Sequence, residues 1–221
     1  MTKLFTEDNP IYLITDRTLS KLSHTQITMK AIASGIRTIQ LREKHMSKKE
    51  LYSEALSMRS LTLKYKTTFI VNDQIDIALA ADADGVHLGQ EDMPVEEARR
   101  IMGKKKIIGV STHSLKQAIN AQEGGADYIG FGPMFQTPTK DAGFPKGLKV
   151  LREIRRHIEI PIVAIGGIAP ENVSSVLEEG ADAAAVIAAV LKGDIAENIA
   201  KLLKAVKMRD KSMNTKTAVS H

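Results

Sequence analysis

The sequence predicts an α/β protein of the (β/α)8 class, a TIM barrel in a single domain, on three observations. Short apolar runs recur along the 221 residues, each followed by a polar cluster and then a stretch of helical periodicity. Eight such units follow one another, and helical links between successive strands make the strands parallel; eight is also the number that closes on itself around its own side chains. No glycine-rich dinucleotide fingerprint follows the first strand, where Leu13-Ile14-Thr15-Asp16-Arg17 stands instead, so a doubly wound open sheet is disfavoured.

In chain order the strands are expected at Ile11–Thr15, Thr38–Arg42, Thr68–Val71, Gly85–Leu88, Lys106–Val110, Tyr128–Phe131, Pro161–Ile165 and Ala183–Ile187. The helices between and after them are expected at Thr25–Ser34, Ser47–Lys64, Gln74–Ala81, Pro94–Met102, Ser114–Gly124, Lys149–His157, Asn172–Glu179 and Ile195–Met208. Ser47 with Glu50 has the spacing of a capping box, and Asp92 with Pro94 reads as a helix start. Gly35, Gly103, Gly124 and Gly180 stand where helices should end. The catalytic barrel is therefore expected over 1–208, with 209–221 a basic polar tail that has no apolar period and no expected fixed structure.

Composition excludes several function classes. The chain has no cysteine, so it can hold neither a disulfide framework nor a thiolate nucleophile or metal site. A net charge of +5 is a possible footprint of nucleic-acid binding, but Lys204, Lys207, Arg209, Lys211 and Lys216 against Asp210 put +4 of it after residue 203. With no tryptophan and 4% aromatic residues, little surface is left for stacking on bases, and no nucleic-acid partner is expected. No apolar run reaches the roughly 20 residues of a membrane span, and Met1–Pro10 has no apolar core of a secretory signal. A cytoplasmic enzyme with no membrane partner is the expectation.

Barrels of this kind carry their chemistry at the C-terminal ends of the strands, and the chemically loaded residues fall there in nearly every unit. The second strand runs into Gln40-Leu41-Arg42-Glu43-Lys44, the third into Asn72-Asp73, and the fourth into Gly89-Gln90-Glu91-Asp92. The fifth ends in Ser111-Thr112-His113, the sixth leads to Thr137-Pro138-Thr139-Lys140, the seventh to Gly166-Gly167, and the eighth to Ile187-Ala188. Asp73 and Asp92 come from adjacent strands and could share one hard cation, for which Mg2+ is the fitting choice because it takes oxygen ligands and is commonly completed by substrate phosphate. Arg42 offers a planar fork to phosphate oxygens, Lys44 and Lys140 offer point charges, and Gly166-Gly167 lets backbone amides approach a second phosphate.

Taken singly, each element has a plainer explanation. Asn-Asp is commonly a turn or cap, Arg-Glu-Lys a solvated charge cluster, and Gly-Gly after a strand a packing feature. His87 and His113 read as structural, with no partner at zinc spacing, and the nine methionines as core filling. Their arrival at one end of successive strands is what favours a site.

In this order the motifs resemble the thiamine-phosphate synthase family. The resemblance runs from Ile11 to Leu203 and rests on Tyr12–Asp16, Gln40–Lys44, Val71–Asp73, Gly85–Asp92, Gly109–His113, Gly132–Lys140, Ala164–Ile168 and Gly180–Asp182. It implies that Gln40, Leu41, Arg42, Glu43, Lys44, Asn72, Ser111 and Lys140 hold an aminopyrimidine diphosphate, with Arg42, Lys44, Ser111 and Lys140 serving catalysis. It implies Asp73 and Asp92 as Mg2+ ligands, and Thr137, Pro138, Thr139, Gly167, Ile187 and Ala188 as the seat of a thiazole phosphate. The implied reaction joins the two substrates and releases pyrophosphate, with loss of CO2 where the thiazole is carboxylated; the implied assembly is a homodimer. Ala188 stands where that family commonly has serine, and Ala183 where glycine is common. A sister thiazole tautomerase and a non-catalytic thiamine-phosphate-binding regulator are the alternatives, and Asn72, Asp73, Asp92 and Lys140 speak against both because neither needs them.

Overall fold

The computed structural model describes residue 5, residues 9–137 and residues 143–218, with 210–218 given as backbone alone. The parallel strands are β1 (Ile11–Ile14), β2 (Thr38–Leu41), β3 (Thr68–Asn72), β4 (Gly85–Leu88), β5 (Ile107–Thr112), β6 (Tyr128–Phe131), β7 (Ile162–Ile165) and β8 (Ala183–Val186). They close in sequence order, with β8 pairing back onto β1. The helices are α1 (Arg17–Ser20), α2 (His24–Ala33), α3 (Lys48–Lys64), α4 (Ile75–Ala80), α5 (Val95–Met102), α6 (Leu115–Glu123), α7 (Gly147–His157), α8 (Val173–Glu178), α9 (Ala188–Leu191) and α10 (Ile195–Ala218). The (β/α)8 class read from the sequence is the fold observed.

Strand alternation divides the core into two. Odd-numbered residues of β1, such as Ile11 and Leu13, point outward, and with Ile39, Leu41, Phe69, Val71 and Val86 they pack against the helices. Tyr12, Ile14, Ile70, Tyr128, Val163, Ala183 and Ala185 point inward and fill the barrel. Phe5 closes the N-terminal end, its ring 6.0 Å from that of Tyr12 and 5.8 Å from that of Tyr128. Ala183 is fully buried in this inner cluster, so a methyl group is accommodated where glycine is common in the resembled family.

Local chemistry sets most boundaries. Ser47 and Glu50 form the capping box that starts α3, and Ser23 with Gln26 forms another at α2. Pro94 is the N-cap of α5, but the Asp92 carboxylate turns back to the Gly89 N–H at 2.6 Å and does not cap that helix. The left-handed residue after α6 is Gly125, one position past the expected Gly124, whose own φ is −74°. Two single-turn helices, α1 and α9, escape periodicity because four residues make only one turn. The Asp16 carboxylate caps α1 by accepting from Thr18 N at 2.8 Å and Leu19 N at 3.2 Å. The last helix, expected to stop at Met208, continues to Ala218 through a stretch expected to lack fixed structure; no glycine or proline between Ile195 and Ala218 interrupts it.

Candidate active site

The β3–β4 register sets Asn72 opposite His87 and brings Asp73 beside the end of β4. Asp73 leaves the strand with φ +61° and its N–H on His87 O at 2.8 Å, a left-handed turn that swings its carboxylate into the mouth. There it meets the Asp92 carboxylate, which Gly89 N holds. Burial, then the adjacent Asp92, push the Asp73 carboxyl up to about 6, while Lys44 and Arg42 pull it down. The sequence-predicted pair is therefore together, facing the two predicted cations. Among the described residues no group of three or more His, Asp or Glu side chains could hold a metal. A hard cation seated here would rest on two carboxylates plus oxygens brought by substrate, and an oxygen-only pair of carboxylates is a chemical fit for Mg2+.

Arg42, Glu43 and Lys44 follow β2 directly. The Glu43 carboxylate accepts from the backbone N–H of Lys44 at 2.7 Å and His45 at 2.8 Å, folding the segment back on itself. Gln40 is buried inside the barrel, whereas the Leu41 side chain lies in the outer core, away from the mouth.

Below the mouth runs a hydrogen-bonded chain that the sequence reading missed. Gln40 Nε2 donates to Tyr12 Oη at 2.9 Å, Tyr12 Oη lies 3.0 Å from Tyr128 Oη, and Tyr128 Oη 2.9 Å from His87 Nδ1. His87 Nε2 then meets Ser111 Oγ at 2.9 Å. Two residues assigned to the diphosphate substrate, Gln40 and Ser111, are thus tied across the barrel by three rings, those of Tyr12 and Tyr128 buried and that of His87 partly so. Burial lowers the His87 imidazole to about 4 and raises both phenols, so every member of the chain is neutral near pH 7. The available signal was glycine inside strands. A Cβ at Gly109 would sit 2.1 Å from Tyr128 Cζ, and one at Gly130 3.1 Å from His87 Cε1. His87 is structural here, as expected, and His113 bonds Gly132 O through Nδ1 at 2.8 Å.

On the β7–β8 side, Gly166 (φ +96°) and Gly167 (φ +67°) end β7. A Cβ at Gly166 would lie 2.6 Å from Pro133 Cβ, and one at Gly167 2.5 Å from Gln136 O. The room these glycines create is taken by the segment after β6, so docking of that segment already requires them. Ile187 is the N-cap of α9 and Ala188 its first residue, both partly buried. Thr137 is partly buried at the edge of the mouth, while Pro138, Thr139 and Lys140, with the two residues that follow them, lie outside the described residues. A cavity of about 400 Å3 adjoins the mouth at Arg17, Lys21, Glu43 and His45. One of about 730 Å3 lies at the opposite end of the barrel, around Arg59, Thr67, Asp82 and Lys106, and carries none of the predicted site residues.

The parallel eight-stranded barrel thus gathers the Asp73–Asp92 carboxylate pair, Arg42 and Lys44 at its C-terminal mouth. Comparison with known proteins identifies the family. Residues 11–190 match the profile described as Thiamine monophosphate synthase. The chain is 49% identical over 198 residues to the thiamine-phosphate synthase of Chloroflexus aurantiacus, covering 89% of this chain and 91% of that one. It is 48% identical over 198 residues to that of Methanocella arvoryzae, covering 89% and 93%. Its fold matches the thiamine phosphate pyrophosphorylase of Pyrococcus furiosus with a TM-score of 0.85 and 41% identity, over 92% of this chain and 98% of that one. The chain belongs to the thiamine monophosphate synthase family. No helix among the described residues is long and apolar enough to cross a membrane.

Proposed function

We propose that this chain is a thiamine-phosphate synthase, a transferase that joins 4-amino-2-methyl-5-(diphosphooxymethyl)pyrimidine to a thiazole phosphate and releases pyrophosphate. The observation that carries the reading is the Asp73–Asp92 pair set against Arg42 and Lys44. Neither the tautomerase nor the regulator reading accounts for such a pair, and the named relatives are synthases.

Asp73 and Asp92 are the residues that would hold Mg2+. The bound ion supplies charge neutralisation at the diphosphate oxygens. Arg42 and Lys44 add fixed positive charge where negative charge accumulates as the methylene C–O bond breaks and its electron pair leaves with pyrophosphate. Lys140 is assigned the same task. Gln40, Asn72 and Ser111 orient the aminopyrimidine diphosphate, with Gln40 and Ser111 locked from beneath by the Tyr12–Tyr128–His87 chain. Leu41 and Glu43 contribute through their backbone. The thiazole phosphate sits at Thr137–Thr139, Gly167, Ile187 and Ala188, and its ring nitrogen uses a free lone pair to take the methylene. No protein nucleophile and no general base is needed.

The inferred compartment is the cytoplasm and the inferred assembly a homodimer. The test is direct: pyrophosphate is released only when both substrates and Mg2+ are supplied. Isomerisation of the thiazole without pyrophosphate release would replace the synthase with the tautomerase.

A further inference from the structure

His24, the first residue of α2, is fully buried and faces two groups of the mouth from behind. Its Nδ1 lies 2.7 Å from Thr15 Oγ1 and its Nε2 3.2 Å from Glu43 Oε2. Thr15 Oγ1 in turn accepts from Arg42 N at 3.3 Å, and Glu43 Oε1 accepts from the N–H of Lys44 and His45. Three consecutive-segment amides, those of Arg42, Lys44 and His45, are thereby fixed by two side chains, and the imidazole is the piece that joins those two.

The protonation pattern follows from the geometry. Burial lowers the His24 pKa more than Glu43 restores it, so the ring is neutral and carries one hydrogen. Facing a carboxylate, Nε2 must carry it. Nδ1 then accepts from Thr15, whose single hydroxyl hydrogen has a choice between Gln40 O at 3.1 Å and His24 at the shorter 2.7 Å. Burial pushes Glu43 up, but the His45 N–H, the His24 ring and the Lys44 N–H outweigh it and hold the carboxyl below its usual range. Arg17 Nε, 3.4 Å from Glu43 on a largely exposed side chain, adds a weaker contact. Glu43 is thus fully engaged by the protein, and its carboxylate serves the loop instead of a ligand.

We infer that His24 is a positioning residue for the pyrophosphate leaving group: through Thr15 and Glu43 it holds the backbone that aims Arg42 and Lys44. This rests on the synthase reading for the identity of the anion, but the mechanical part stands apart from it. A residue that only fills space would, when replaced, disturb both substrates alike. A residue that sets this loop should act on the diphosphate substrate and spare the thiazole phosphate, which binds across the mouth.

The experiment compares wild type with His24→Leu, which removes both ring contacts, and His24→Gln, whose amide can still donate to Glu43. For His24→Leu the expected result is a KM for the pyrimidine diphosphate raised about tenfold, with kcat lowered and the thiazole phosphate KM moved by less than about twofold. His24→Gln should recover most of the loss. Hydrogen–deuterium exchange of the peptide spanning 42–46, read without substrates, should quicken about tenfold in His24→Leu and return toward wild type in His24→Gln. Should His24→Leu fail to fold, Thr15→Val cuts the same relay by one hydroxyl and should give the same selective shift. Equal changes in both KM values, no change in exchange, or a Gln variant as impaired as Leu would overturn the inference. A wild type without two-substrate turnover would instead overturn the synthase reading, and the exchange result would still decide the relay.

Discussion

Asp73 and Asp92 confront each other at the ends of neighbouring strands, and the second makes ionising the first more costly. Neutral burial alone would not place two carboxylates this way. A cation held between them, as proposed, would be shared by both carboxylates and would leave room for oxygens of the diphosphate and water.

Asp92→Asn should therefore lower kcat by orders of magnitude while the fold survives, because the Asn carbonyl can still accept from Gly89 N. Pyrophosphate release at saturating substrates and a thermal melt check the two halves. Near-normal turnover would mean that the metal sits elsewhere.

Mg2+ binding should release protons at mildly acidic pH. The Asp73 carboxyl is held up to about 6 in the metal-free protein, so below that pH it is mostly protonated and the ion must displace its proton. Apparent Mg2+ affinity is expected to rise as pH climbs through 6 and to level off above it. Calorimetry in buffers of different ionisation enthalpy measures the protons released, and Asp73→Asn should abolish the release.

Gly109→Ala should cost more than an exposed glycine-to-alanine change, since its methyl would sit 2.1 Å from Tyr128 Cζ. Overpacking of this kind costs about 1–3 kcal/mol, which is roughly 2–12 °C in Tm for a chain of this size. Combining it with Tyr128→Leu should recover part of the loss, because the ring that is struck is gone. Additive losses in the double variant would show that the two positions do not compete for one space.

Ala188→Ser should lower the KM for thiazole phosphate by about tenfold to a hundredfold, the scale of one hydrogen bond to a charged group. The diphosphate KM should stay unchanged. An unaltered thiazole KM would show that the backbone of Ile187 and Ala188 already supplies the contact.

How much of this was readable in advance follows from the range of each signal. The eight strands and the capping box at Ser47 and Glu50 are written in short stretches, and both appear as expected. The Asp73–Asp92 pairing was also legible, because the ends of adjacent parallel strands must be neighbours. Tyr12 and Tyr128, 116 residues apart, share a hydrogen bond that no local pattern announces. His24 and Glu43 are 19 apart, and nothing in an amphipathic helix start says that its first residue faces inward to a loop. Gly166 and Gly167 looked like an approach for phosphate, yet the segment after β6 occupies the space a side chain would fill. The sequence shows that glycine stands there, and only the packing shows why.

The left-handed backbone at Asp73 sets the protein's chemistry against its own durability. Asparagine tolerates φ +61° more readily than aspartate and brings no charge to face Asp92, so Asp73→Asn should melt higher than wild type while losing activity. In a population selected for heat resistance alone, position 73 is where dead but hardier variants should accumulate. Under a demand for the product they should vanish, which makes this one residue a gauge of which pressure is acting.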